Sequence, residues 1–115
     1  MVEGPIDLSV FNELKEATGP DFIKELVETF FEEAPGILAE LSGAAKAGDV
    51  DQFRRAAHSL KSNGSVFGAH KLAELARQLE LSGFEADQDA TNQKIIELTS
   101  AYERSSSELR VLIDG

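Results

Sequence analysis

The sequence predicts an all-α domain, an antiparallel bundle of helices. Three observations predict it. Apolar residues recur every three or four positions along five separate stretches, the repeat of a helix that buries one face. Glycine, proline and aspartate fall at the joints between those stretches, where helices stop and start. No stretch alternates apolar and polar residues over the span a half-buried strand needs.

The first helix is predicted from about Asp7 to Ala17, with Asp7 as its cap and Leu8, Phe11 and Leu14 at helical spacing. Thr18-Gly19-Pro20 ends it, and Pro20-Asp21 opens the next, because proline fits a first helical turn. The second helix runs from Phe22 to Ala47, with a stripe through Ile23, Leu26, Val27, Phe30, Ala34, Ile37, Leu38, Leu41, Ala44 and Ala45. Pro35-Gly36 interrupts it and predicts a kink or a break; the stripe keeps its phase across Pro35, which favours a kink. Gly48 ends this helix, and Asp49 or Asp51 caps the third, which stops near Gly68.

The fourth helix is predicted from about Ala69 to Ser82, with Leu72, Leu75, Ala76 and Leu79 facing in and Gly83 closing it. Residues 84 to 90 read as a loop with Asp87 or Asp89 as candidate caps. The last helix extends to about Ile113 on a face of Ile95, Leu98, Thr99, Tyr102, Ser105, Ser106, Leu109, Leu112 and Ile113. Ser105-Ser106-Ser107 is its weakest point, since serine competes for the backbone. The whole of residues 1–115 reads as one domain, with residues 1–6 a loose lead and Gly115 a frayed end.

Composition narrows the function. With 42% hydrophobic and 28% charged residues the chain is globular, not disordered. It has no cysteine, which excludes disulfides and thiolate metal sites and fits a cytoplasmic protein. A formal net charge of −10 disfavours nucleic acid and anionic membrane as partners. The polar face of the second helix carries Glu25, Glu28, Glu32, Glu33 and Glu40, where a membrane-surface helix would want lysine and arginine. No run is long and apolar enough to cross a bilayer, and the start lacks a signal-peptide pattern.

One window departs from this acidity. From Gln52 through Ala73 there is no Asp or Glu, while Arg54, Arg55, Lys61 and Lys71 are present. Wound as a helix, residues 53–68 put Phe53, Ala56, Ala57, Leu60, Gly64 and Phe67 on a core face. Arg54, His58, Lys61, Ser62 and Ser65 fall on the opposite side. Arg54 and Lys61 lie one turn either side of His58, and the small Ser62 and Ser65 leave room for another surface to approach the ring. Imidazole is a nucleophile near neutral pH, and a phosphoryl group accepted on it brings nearly two negative charges that flanking cations would offset. A solvated helix face that happens to carry a histidine accounts for charge and spacing equally well.

The run His58-Ser59-Leu60-Lys61-Ser62-Asn63-Gly64-Ser65-Val66-Phe67-Gly68 resembles the signature of histidine-containing phosphotransfer (HPt) domains. The family pattern is roughly His-x-Leu-Lys-Gly, then small residues, an apolar residue and Gly. Ala57 before the histidine, Gly68-Ala69 after it, Leu72-Ala73, Leu75 and Leu79-Glu80 downstream, and Phe30, Glu33-Ala34-Pro35, Leu38, Leu41, Ala47-Gly48-Asp49 and Phe53 upstream extend the likeness over most of the chain. Ser62 departs from it where glycine is commonest, and Gly64 stands where alanine or serine is usual. Inside a helix Gly64 would cost about 1 kcal/mol relative to alanine.

The resemblance implies a four-helix bundle of helices two to five, with the first helix across one end. It implies that His58, through Nε2, accepts a phosphoryl group from a receiver phospho-aspartate or a histidine kinase and passes it to a receiver aspartate. Lys61 would pair with the phosphoryl oxygens, and Arg54 would add field or a partner contact. Arg55 lies further round the helix. The docking contact is expected on exposed residues of the second helix near His58. The chain shows no nucleotide loop or acidic magnesium cluster, so no cofactor is expected on it and Mg2+ would sit on the receiver. A monomer is expected.

Gln78 could reach the imidazole as a hydrogen-bond donor if the third and fourth helices form a hairpin with that face exposed. His70 opens the fourth helix too far along the chain from His58 for the usual metal spacing on one helix, and reads as a surface residue. Tyr102 and the seven phenylalanines sit at core spacing. Two rival classes are a helical scaffold in which His58 is idle and a bundle binding metal through His58, His70 and nearby carboxylates.

Overall fold

The computed structural model describes residues 4–83 and 88–114. It contains α1 (Leu8–Thr18), α2 (Pro20–Ala47), α3 (Val50–Val66), α4 (His70–Ser82) and α5 (Gln88–Asp114). No strand occurs among the described residues. α3 packs on α2 and α4, and α5 closes the ring by packing on α4 and α2, so α2 to α5 form a four-helix bundle. α1 packs on α2 and on the end of α3.

Local chemistry sets the boundaries. Asp7 caps α1 by accepting from the Ser9 amide at 3.0 Å. Of the two candidates for α3, Asp49 is the cap, accepting from the Gln52 amide at 3.1 Å, and Asp51 lies in the first turn. The candidate cap Asp87 lies outside the described residues, as do Phe84, Met1 to Glu3 and Gly115.

The core is one cluster drawn from every helix. On α3 Phe53, Ala57 and Leu60 are fully buried, with Ala56 and Gly64 beside them, as the 3.6-residue repeat requires. Phe30 of α2 stands at a junction, its ring 5.4 Å from that of Phe67 and 5.5 Å from that of Tyr102 in an edge-to-face contact.

Two expectations of continuity hold and two of packing do not. α2 is one helix through Pro35, the alternative to a break that the phase of its stripe favoured. The proline is exposed while Phe30, Ala34 and Leu41 are buried, so its ring lies on the solvent side and the buried stripe runs on beneath it. α5 likewise continues through Ser105-Ser106-Ser107. Ser105 is buried against the bundle, and Ser107 returns its hydroxyl to the Glu103 carbonyl at 3.0 Å. Phe22 is half exposed, an exception to the phenylalanine packing, and Leu8 is half exposed too. Ile6, read as part of the loose lead, is buried in the core.

Gly64 also reverses an expectation. A Cβ there would lie 3.3 Å from the Ala69 carbonyl oxygen and 3.3 Å from the Ala73 amide nitrogen, the first turn of α4. Backbone atoms yield less readily than side-chain tips, so the missing methyl lets α3 and α4 close together. Crowding of this kind costs about 1–3 kcal/mol, against about 1 kcal/mol of helix propensity gained. Gly64→Ala is therefore expected to lower the thermal midpoint, measured by circular dichroism.

Candidate functional site

The helix that carries His58 is sorted into two faces by its own sequence. Because Phe53, Ala57 and Leu60 are driven inward, His58 is turned outward, and its side chain is 58% exposed. Ser62 and Ser65 are exposed on the same side, as expected of small residues beside an approachable ring.

What holds the ring comes from α4. Phe67, Gly68 and Ala69 turn the chain so that α3 and α4 run antiparallel as a hairpin. Residues at similar distances from this turn then lie opposite each other, which sets Gly64 against Ala73 and Arg54 against Gly83. The same register brings Glu80 to His58. Its Oε2 lies 2.6 Å from His58 Nδ1, and its Oε1 accepts from Lys61 Nζ at 2.6 Å. One carboxylate thus bridges the imidazole and the lysine.

Two electrostatic consequences follow. The Lys61 hydrogen bond, with the weaker help of His58 and against some desolvation, holds the Glu80 carboxyl below the usual carboxylate range. Glu80 is therefore ionised at neutral pH. An ionised carboxylate at 2.6 Å selects the tautomer with the proton on Nδ1 and leaves the lone pair on Nε2.

Arg54, exposed, lays its guanidinium within 3.4 Å of the Cβ position of Gly83, at the C-terminal end of α4. It shares the α4 side of the stripe with Lys61, and its charge faces the negative end of a helix dipole. Gln78 does not face the imidazole. It is two residues from Glu80, which puts it on nearly the opposite side of α4, and its amide donates to Glu74 at 3.4 Å. The hairpin condition for Gln78 is met, but the helix phase hands the position to Glu80.

On α2, Glu40 lines the cleft beside Ser59, and the large exposed apolar residue of α2 is Phe22 in its first turn. His70 has a structural partner. Its Nε2 lies 2.9 Å from Asp7 Oδ2, and the Asp7 amide donates to the Gly68 carbonyl at 2.8 Å, so the N-terminal segment is clipped to the α3–α4 turn. Among the described residues no three histidine or carboxylate side chains converge as a metal would need. The metal-binding alternative is left without a ligand set there.

The clip predicts a pH dependence. The hydrogen bond to His70 holds the Asp7 carboxyl below the usual range. A carboxyl depressed in the folded state adds stability above its unfolded value, and that stability is lost as pH falls through the folded value. Asp7 and Glu80 share this sign, so the midpoint should hold between neutral pH and about 5 and fall below about 4. Thermal scans of Asp7→Asn should show a shallower acid slope than the parent.

Residues 25–108 match the model of the Hpt domain family. The chain belongs to this family. It is 36% identical over 75 residues to the sensor protein TorS of Escherichia coli K12, a match covering 65% of this chain. It is 32% identical over 81 residues to multistep phosphorelay regulator 1 of Schizosaccharomyces pombe, a match covering 68% of this chain. The matches span only 8% of the first relative and 28% of the second. The crystal structure of histidine-containing phosphotransfer protein B (HptB) from Pseudomonas aeruginosa PAO1 superposes with a TM-score of 0.72 at 30% identity, over 96% of this chain and 91% of that one. The fold and role are those of a phosphorelay histidine phosphotransfer domain. No helix among the described residues is long and apolar enough to cross a membrane.

Proposed function

We propose that His58 is the phosphoacceptor and that the domain is a carrier, without complete catalytic machinery of its own. It takes a phosphoryl group from a receiver phospho-aspartate or a histidine kinase and delivers it to a receiver aspartate. The observation that supports this best is the exposed His58 imidazole whose Nδ1 is tied to Glu80, which leaves Nε2 as the nitrogen with a lone pair to offer.

In the transfer, the Nε2 lone pair attacks phosphorus, an N–P bond forms and the acyl-phosphate P–O bond breaks, returning a carboxylate to the donor. The ring keeps its Nδ1 proton and so becomes cationic; Glu80 offsets that charge. Lys61, now on Glu80, is close enough to meet the phosphoryl oxygens as they arrive, and Arg54 adds positive field. Onward transfer reverses these steps, and the cationic ring is a good leaving group. Ser62 and Ser65 supply clearance. In this reading the receiver supplies Mg2+ and the acidic pocket, the chain acts as a monomer, and its place is the cytoplasm.

The test is to mix the domain with receiver domains or a kinase carrying labelled phosphate. Label that survives alkali, is lost in acid and maps to the His58 peptide is the expected result. No uptake from any donor would favour the scaffold alternative. Glu80→Ala should slow initial labelling about tenfold, equivalent to about 1.4 kcal/mol in the barrier, because the tautomer and the ring charge lose their support. Its thermal midpoint at neutral pH should fall modestly, since the bridge to His58 and Lys61 is lost, while the fold stays intact by circular dichroism.

A further inference from the structure

His58 has two flanks, and the proposed chemistry uses only one. Lys61, Arg54 and Glu80 occupy the α4 side. On the α2 side lies an open cleft of about 300 Å³ lined by Glu40 of α2 and by Gln52, Arg55, Ala56 and Ser59 of α3. Ser59 is the residue after His58, and Arg55 is one turn before it, about 4.5 Å along the axis.

Arg55 and Glu40 stand on opposite walls, both exposed. No ion pair joins them, and neither pairs with any described residue. Two opposite charges facing one cleft without meeting leave a site that a complementary pair could fill. Nothing in the core requires either residue.

An interface of ordinary size covers about 800 Å² on each partner, a disc of about 16 Å radius. Any protein that brings an aspartyl phosphate to His58 Nε2 must therefore cover this cleft as well. Charges under such a footprint govern partner choice more than chemistry.

Resting on the reading of His58 as phosphoacceptor, we propose that the Glu40–Arg55 cleft is a specificity determinant for the receiver domain, taking one basic side chain against Glu40 and one acidic side chain against Arg55. A receiver with the opposite charge order meets like charges on both walls and is rejected.

The experiment compares two donors: a phosphorylated receiver domain that labels the parent chain, and phosphoramidate, a P–N donor too small to touch the cleft. In Glu40→Arg and Arg55→Glu the KM for the receiver should rise about tenfold with kcat within twofold. The rate from phosphoramidate should stay within twofold of the parent. Glu40→Gln and Arg55→Gln should give smaller KM increases of the same sign. An unchanged KM in both reversals, or an equal loss with both donors, would overturn the proposal. Label in the parent that maps away from His58 would overturn the phosphoacceptor reading instead, a different result. Circular dichroism of each variant checks that the fold is kept.

Discussion

Replacing His58 by glutamine is expected to reduce labelling to background, a loss of at least about a thousandfold, with the fold intact. Glutamine has no lone pair on nitrogen fit to attack phosphorus, so the covalent step has no acceptor. It can still hydrogen-bond to Glu80 and it is a good helix former, so the local geometry should survive. The parent residue is 58% exposed, and exposed substitutions of this kind usually shift stability by less than about 0.5 kcal/mol. The chain's other imidazole sharpens the test. His70 is 53% exposed, but its Nε2 is 2.9 Å from the Asp7 carboxylate, which occupies that nitrogen and would repel an arriving phosphoryl group. Label appearing on His70 in the parent, or persisting in the His58 variant, would contradict the site. The measurement is retention of acid-labile label on a gel, with the labelled peptide mapped.

Gly68→Ala is expected to cause the largest loss of stability among the glycine substitutions. Gly68 has φ of 79°, in the left-handed region that a residue with a Cβ enters at a cost of about 1 kcal/mol. Space makes it worse. The new Cβ would lie 2.8 Å from the Asp7 carbonyl oxygen, 3.0 Å from Val10 Cβ and 3.2 Å from Asp7 Cβ. Relief requires α1 to move away, which would break the hydrogen bond from the Asp7 amide to the Gly68 carbonyl and strain the His70 contact. Strain and overpacking together suggest a loss of about 3 kcal/mol, or roughly 10–15 °C in the thermal midpoint. Gly48→Ala is the control. It has a similar φ of 74°, but nothing lies within 4 Å of its Cβ position. It should cost only about 1 kcal/mol. Equal midpoints for the two variants would show that α1 does not press on the α3–α4 turn.

These outcomes separate two levels of information. The faces of α3 were legible because periodicity is a local property: once Phe53, Ala57 and Leu60 seek the core, His58, Lys61 and Ser62 must point away. Caps were legible for the same reason, since Asp7 and Asp49 satisfy amides only two or three residues on. Pro35 was harder. Its effect depends on whether the packing of α2 on its neighbours outweighs one lost hydrogen bond, and α2 continues through it.

Glu80 shows most clearly why the site was only half legible. It lies on a different helix from His58, twenty-two residues away. Finding it needs the hairpin register and the helix phase together. Register alone admits Gln78 as readily as Glu80, and phase selects between them. The signal was present in the spacing of each residue from the Phe67–Ala69 turn, taken with the inward stripe of Leu72, Leu75, Ala76 and Leu79. The Asp7–His70 clip, across sixty-three residues, carried no comparable signal.

The order of residues alone decided that five helices form, where the first four begin and end, and that an imidazole flanked by cations faces water, because each follows from forces acting within a few turns of chain. α5 starts at Gln88, so residues 88–90, read as loop, are helical and Asp89 lies in its first turn. Only the packed bundle decided which carboxylate grips that imidazole, which glycines must lack a side chain, and which charges line the cleft on its other flank. Those depend on the distance and rotation between helices, which are settled by how all the buried side chains fit at once.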